Sequence, residues 1–354
     1  MKILVVRLSS LGDILHLFPA ISDLRRRFPD AEIHWLVEPA FAEAVGWQSA
    51  INKVITVPLR AHKKTWWKIP MLLGKLRRQL QAENYDIVLD AQGLLKSAIL
   101  SRLAGVAVYG FDADSARESI AARLYQKTAS VPDGLHVIEK NRQLIERIFA
   151  ADITQPADFG LDQFRQERMQ VEFTGALGEM TSLPYIMLLH GTTWNSKYWP
   201  ESSWVELISE FSQRGWRCLV PWGNEVERQR AYRLCAGDEQ AQLLPKLSLT
   251  EMMSVLLHAR AFVSVESGIG HLAAALDVPG VMLHGPTDPG YSGILGKECR
   301  HITSGIFCSP CFRRNCPRLQ TGQKVPPCQQ EIKPLLVYQQ CLALIASTPE
   351  GFAA

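Results

Sequence analysis

Short apolar runs of about five residues, separated by helix-length segments, recur in both halves of this chain and constrain its fold more than any other feature. In the first half KILVVR (2–7), EIHWLV (32–37) and DIVLD (86–90) alternate with helical patterns from Asp13 to about Arg27, at 66–82, at 94–103 and at 134–149. In the second half the runs are YIMLL (185–189), RCLVP (217–221), AFVSV (261–265) and GVMLH (280–284). Helical stretches near 202–214, 225–235, 249–258 and 268–276 separate them. Runs that do not alternate apolar with polar residues belong to strands covered on both faces, hence to parallel sheets flanked by helices. A polar stretch at 163–183 breaks the rhythm. The expectation is an α/β chain of two doubly wound, Rossmann-like domains facing across a cleft. The domains span 1–165 and 184–330, with a linker at 166–183. Residues 331–354 hold a closing helix that can pack back on the first domain. A length of 354 residues suits two cores.

Composition excludes several classes. With 47% apolar and 21% charged residues the chain is not disordered, collagen-like or a coiled coil. No window offers the ~18 uncharged apolar residues that span a bilayer. The apolar run at the start is too short for a signal peptide, so a cytoplasmic protein is expected. A formal charge of +3 is too balanced to indicate nucleic acid. One segment is different: Arg60, Lys63, Lys64, Lys68, Lys75, Arg77 and Arg78 occur with no acid between them, beside Trp66 and Trp67. A charge run is usually a solvated helix face. Adjacent tryptophans among cations also suit lipid headgroups or an anionic glycolipid. RNA would need a module signature that is missing.

Open α/β sheets bind ligands beyond the carboxyl ends of their strands, so the residues just after strands carry the information. Arg7-Leu-Ser9-Ser10-Leu-Gly12-Asp13 follows the first strand and opens a helix. Gly12 suits a tight turn. Asp13, in the first helical turn, is stabilised in its ionised form by the helix dipole and can accept a proton from a substrate hydroxyl. The plainer alternative is that Asp13 only caps the helix. His190-Gly-Thr192-Thr193-Trp-Asn-Ser-Lys197-Tyr-Trp-Pro200 follows another strand. Its hydroxyls, backbone N–H groups and ammonium suit a phosphate without a metal, although hydroxyl-rich loops are also common solvated connections.

Ser264-Val-Glu266-Ser267-Gly268-Ile-Gly270-His271-Leu-Ala273 can be read as the G-x-G-x-x-A of a dinucleotide site, with Asp288 at about the right distance downstream. That would make the protein a nicotinamide-dependent oxidoreductase. Against it, the ribose-binding acid belongs at the end of the next strand, which here closes on His284. A phosphate at the helix N-terminus needs no nicotinamide, and Glu266 can hold a sugar hydroxyl pair. Asp112-Ala-Asp114 is a candidate divalent-cation motif, but it lies in the half without the phosphate loops. Arg117, three residues on, is the better anion contact. Cys308, Cys311, Cys316 and Cys328 provide four thiols within 21 residues, enough for a structural tetrahedral metal site, though not at a standard ribbon spacing.

Together these segments resemble the heptosyltransferases of lipopolysaccharide core assembly, glycosyltransferase family 9, and within it the members that add the first heptose. The resemblance rests on RLSSLGD (7–13), DAQGLLKSA (90–98), DSARES (114–119) and HGTTWNSKYWP (190–200). It continues through PWGNEVERQRA (221–231), SVESGIGHLAAAL (264–276) and HGPTDPG (284–290). It implies a GT-B fold and an inverting, metal-free transfer of L-glycero-D-manno-heptose from ADP-heptose to the inner Kdo of Kdo2-lipid A. No cofactor is implied, and peripheral contact with the inner membrane is. The family's catalytic aspartate falls on Asp13. Its donor contacts fall on Thr192, Thr193, Lys197, Glu227, Leu247, Ser267, Gly268 and His271, with Glu266 at an acidic position. Its acceptor contacts fall on Ser10, Arg60, Lys63, Lys64 and Arg117. Two features depart from the first-heptose pattern. Glu266-Ser267 stands where Asp-Thr is usual, and the cysteine cluster looks like that of other members, including those that add the second heptose. The readings to be separated are therefore first-heptose transfer, second-heptose transfer, an oxidoreductase, and a noncatalytic glycolipid-binding protein.

Overall fold

A computed structural model describes residues 1–62, 65–319, 322 and 325–347, leaving aside the side chains of His62 and Trp66. The chain divides into two compact units, Met1–Phe164 and Arg165–Ala354.

The first unit is built on six parallel strands: β1 (Lys2–Val6), β2 (Glu32–Val37), β3 (Lys53–Thr56), β4 (Ile87–Asp90), β5 (Val108–Phe111) and β6 (Lys127–Ala129). Their order is β3-β2-β1-β4-β5-β6, the strand order of a Rossmann sheet. Val5 in β1 lies between Trp35 of β2 and Leu89 of β4. Ile3 to Val6 are wholly buried, which is why the run carries no alternation. The single helix expected from Asp13 to Arg27 is two, Leu11–Leu15 and Phe18–Arg27. Pro19 has no N–H to give Leu15, so the ladder breaks there. The second of these helices packs on Val137–Phe149. Between them lies a buried ion pair, Arg142 Nε to Asp23 Oδ2 at 2.7 Å.

The second unit repeats the plan with β7 (Tyr185–Leu189), β8 (Arg217–Val220), β9 (Ala241–Leu243), β10 (Ala261–Val265), β11 (Gly280–His284) and β12 (Cys299–Thr303). The order β12-β11-β10-β7-β8-β9 is the same Rossmann order, counted from this unit's own first strand. The stretch expected as a linker carries helices at Asp162–Met169 and Gly175–Thr181. The closing helix is Pro334–Ser347. It buries Val337, Tyr338, Cys341 and Leu344 in the second unit's core, against the helix Glu201–Ser212 and the strands β10 and β11.

In each sheet the connections run opposite ways from the two central strands, β1 and β4 in one and β7 and β10 in the other. Beyond their carboxyl ends the backbone parts and leaves a crevice. Among the described residues no helix is long and apolar enough to cross a membrane.

Candidate active site

At the first crevice Asp13 is held by four donors. Oδ2 accepts from the Ser10 N–H and the Ser10 hydroxyl, both at 3.0 Å. Oδ1 accepts from Arg7 Nη2 at 2.9 Å and from Arg117 Nη2 at 2.5 Å. Ser10 is therefore the N-cap, and Asp13 is the third residue of the helix, closing a capping box. The capping role is real, and the two guanidinium groups add to it. Burial pushes the carboxyl up, but Arg7, Arg117 and the Ser10 N–H outweigh it and hold Asp13 far below the usual carboxylate range. Gly12 lies inside the short helix rather than in a positive-φ turn.

The two arginines are unlike each other. Arg7 is almost wholly buried and its other Nη donates to the carbonyl of Ala91, just past β4. Arg117 has a side chain 44% exposed. It is brought over Asp13 by the meeting of two motifs. Gly93 takes φ +66°, and a Cβ there would stand 3.2 Å from the Arg117 backbone nitrogen. Glu118 donates its N–H to Gly93 and accepts from the Leu95 N–H with its carboxylate. DAQGLLKSA and DSARES are thus two sides of one support. Arg60 is exposed, with its guanidinium over the Phe41 ring and its N–H bonded to Glu38. Lys63 and Lys64 lie outside the described residues.

At the second crevice the loop after β7 and the loop after β10 are tied together. Thr192 donates its hydroxyl to the Glu266 carbonyl at 3.0 Å. Lys197, itself buried, pairs with Glu266 Oε1 at 3.0 Å and lies 4.1 Å from the centre of the Trp194 ring. Burial pushes Glu266 up, but Lys197, Thr287 and two histidines more than offset it, and the carboxyl sits below its ordinary value. Ser267 caps the helix Gly268–Ala275 by accepting from the Gly270 N–H. Gly268 opens that helix, His271 is buried in its first turn and Thr193 is exposed. Glu227 accepts from the Gly223 N–H, and a Cβ on Gly191 would stand 3.0 Å from its carboxyl carbon, so it reaches the β7 loop. Leu247 is half-buried just before the helix Leu249–Leu257.

This is an array for an anion: an ammonium, a threonine hydroxyl and a helix N-terminus in one crevice. The sequence profile of glycosyltransferase family 9 (heptosyltransferase) matches residues 73–321, more than half of the chain. The chain belongs to glycosyltransferase family 9. It is 42% identical to lipopolysaccharide heptosyltransferase 1 of Pseudomonas aeruginosa, over 98% of both chains. The corresponding Escherichia coli protein is 38% identical over 84% of this chain and 92% of its own. Among solved structures, E. coli heptosyltransferase WaaC with ADP has a TM-score of 0.82 at 33% identity, covering 97% of this chain and all of that one. WaaC with ADP-2-deoxy-2-fluoro heptose has a TM-score of 0.76 at 36% identity, covering 86% and 93%. The fold is GT-B, and the protein is an enzyme, a glycosyltransferase.

Several motifs have structural work in this heptosyltransferase. Gly270 lets the helix lie close on the sheet, since a Cβ there would meet the Ser264 hydroxyl at 2.4 Å and Met282 Cε at 2.6 Å. That explains the second glycine of G-x-G without a nicotinamide. Asp288 caps the short helix Pro289–Ser292 through the Gly290 N–H, and β11 closes on a buried His284, not on an acid. Asp112 accepts from the Ser115 N–H and serves its own turn. Cys308, Cys311, Cys316 and Cys328 line one cavity of about 190 Å³. No three of their sulfurs lie within 4.8 Å of one another: among the described residues the one trio of ligand atoms that close is Glu32, His34 and Glu83. Lys2 and Lys53 already neutralise Glu83 there.

Arg7 and Ser292 are among the contributors that the sequence did not single out. Arg7 was part of a motif without a role, because its partner at Ala91 is 84 residues away. Ser292, whose hydroxyl donates to Glu266 Oε1 at 3.2 Å, closes the short helix Pro289–Ser292 just beyond HGPTDPG and carried no signal of its own.

Proposed function

We propose that this heptosyltransferase moves L-glycero-D-manno-heptose from ADP-heptose to the inner Kdo of Kdo2-lipid A, with inversion and without a metal. The observation that carries the mechanism is the ionised Asp13 carboxylate at the first sheet's crevice. The names of the relatives at 42% and 38% identity support lipopolysaccharide as the target and the first heptose as the sugar. The ADP and ADP-fluoroheptose held by the neighbouring structures support the donor.

The donor diphosphate lies at Thr192, Thr193 and the N-terminus before Gly268, with Lys197 offsetting the charge that grows on departing ADP. Glu227, Leu247, Glu266, Ser267 and His271 hold the rest of the nucleotide sugar. Glu266 already neutralises Lys197 in part, so the diphosphate must compete with this carboxylate for the ammonium. The Kdo hydroxyl oxygen attacks the anomeric carbon. The bond from that carbon to the phosphate oxygen breaks, and its electron pair leaves on ADP. The hydroxyl proton passes to Asp13. One displacement inverts the configuration. Ser10, Arg60, Lys63, Lys64 and Arg117 take the acceptor's carboxylates and phosphates. Trp67, 61% exposed, and Met71, 79% exposed, with Lys68 between them, form the face that rests on the cytoplasmic side of the inner membrane.

The test offers ADP-heptose with Kdo2-lipid A or with its heptosylated form and follows product mass. One heptose should be added to the first acceptor, at a rate unchanged by a chelator. Faster reaction with the heptosylated acceptor would reassign the enzyme to the second heptose, and ADP retained with both would leave a glycolipid-binding protein.

A further inference from the structure

Asp13 has no vacant place for a substrate hydroxyl. A carboxylate offers about four acceptor positions, and Arg7, Arg117, the Ser10 N–H and the Ser10 hydroxyl occupy them. Before Asp13 can take a proton, one donor must leave. Arg7 is buried and pinned to the Ala91 carbonyl, and the Ser10 N–H is fixed by the helix start. Arg117 is different. Its side chain is 44% exposed against 3% for Arg7, its ion pair is with Asp13, and its backbone is anchored separately through Gly93 and Glu118. The side chain can swing while its support stays.

We propose that Arg117 is a specificity gate: the acceptor's carboxylate draws the guanidinium off Asp13 Oδ1, and only an acidic sugar thereby uncovers the base that accepts its hydroxyl proton. This deepens the reading of Asp13 as the base and rests on it. The exchange trades one arginine–carboxylate pair for another, so it costs little, whereas a neutral sugar offers Arg117 nothing in return. The charged groups facing the pair are Arg7 on the β1 side and Asp90 at the end of β4, which bears on Arg7. With Arg117 gone, Arg7 alone remains against Asp13. The carboxylate then becomes a stronger base, nearer to the range where proton transfer is efficient. Arg117 is a positioning and specificity residue here, and no bond forms to it.

The experiment uses the full-length enzyme, ADP-heptose and a soluble Kdo disaccharide glycoside, which has carboxylates and no phosphate, against its carboxamide counterpart. Wild type should lose about 100-fold in kcat on the carboxamide. Arg117→Ala should show a raised KM for the carboxylate acceptor, yet turn over the carboxamide about ten-fold faster than wild type does. The pH profiles provide a second readout. The acid limb of wild-type kcat, reporting the complex, should lie at higher pH than that of kcat/KM, reporting free enzyme. In Arg117→Ala the two should coincide at the higher value. Equal limbs in both proteins, with no gain on the carboxamide, would reduce Arg117 to an acceptor contact and overturn the gate. A gain in Ser10→Ala and none in Arg117→Ala would overturn it too, by making Ser10 the departing donor. Asp13→Asn separates the two failures: full turnover in that variant rejects the base itself, while its loss beside an indifferent Arg117→Ala rejects the gate alone.

Discussion

In the proposed mechanism Asp13 and Lys197 serve the two ends of the reaction, and each makes a separable prediction. Asp13→Asn removes the charge but keeps the shape, so kcat should fall by about 10²–10⁴. ADP affinity by calorimetry should stay within about two-fold of wild type, because no donor contact is touched. Lys197→Ala strips an ammonium from a buried crevice and leaves Glu266 without its partner. Both ADP affinity and turnover should drop, and calorimetry showing unaltered ADP binding would move the diphosphate elsewhere. At this scale the sequence is informative just after the strands. Asp13, Thr192, Lys197 and Glu266 stand out there because glycine, hydroxyl and charge cluster, and the structure places each of them beyond a strand's carboxyl end. Arg7 could not be assigned a task, since nothing local says that its side chain turns back to Asp13 and across to Ala91.

The elements behave according to how much of their packing is local. Runs such as 185–189 and 261–265 are legible to the residue because every side chain is buried. The three-residue strands β6 and β9 are too short to show any period, and β12 has a mixed edge pattern. The destination of the closing helix was illegible for a related reason: an apolar helix advertises that it will be covered, not by what. Gly270 tests how tightly an element is set. Gly270→Ala forces a methyl against Ser264 and Met282. It should cost about 1–3 kcal/mol in denaturant unfolding, as overpacked cores do. At the far end of the first sheet, Lys2 and Lys53 hold the Glu83 carboxyl down to about 2, with burial opposing them. A depressed acid contributes stability above its unfolded value, near 4.3, and loses it as pH falls through the folded one. The stability gap between wild type and Glu83→Gln should therefore be full above about pH 5 and close towards pH 2 in acid titrations of unfolding.

At the scale of the whole molecule, the basic segment from Arg60 to Arg78 and the exposed Trp67 and Met71 predict a reversible attachment. Flotation with anionic vesicles should succeed at low ionic strength and weaken several-fold near 0.5 M salt, where charge attraction is cut to a few ångströms. Retention indifferent to salt would mean that the apolar face alone holds the enzyme to lipid.

The shared strand order also governs how the polypeptide can mature during synthesis. The β1 strand lies between β2 and β4, so its carboxyl-end loop stays unfinished until residues 87–92 have left the ribosome. Arg117 arrives later still. Because the first unit closes on itself by Phe164, the unit that holds Asp13 can be complete while most of the unit that holds Lys197 is untranslated. A stall or truncation shortly after that point would release a folded half-enzyme instead of an unfolded chain.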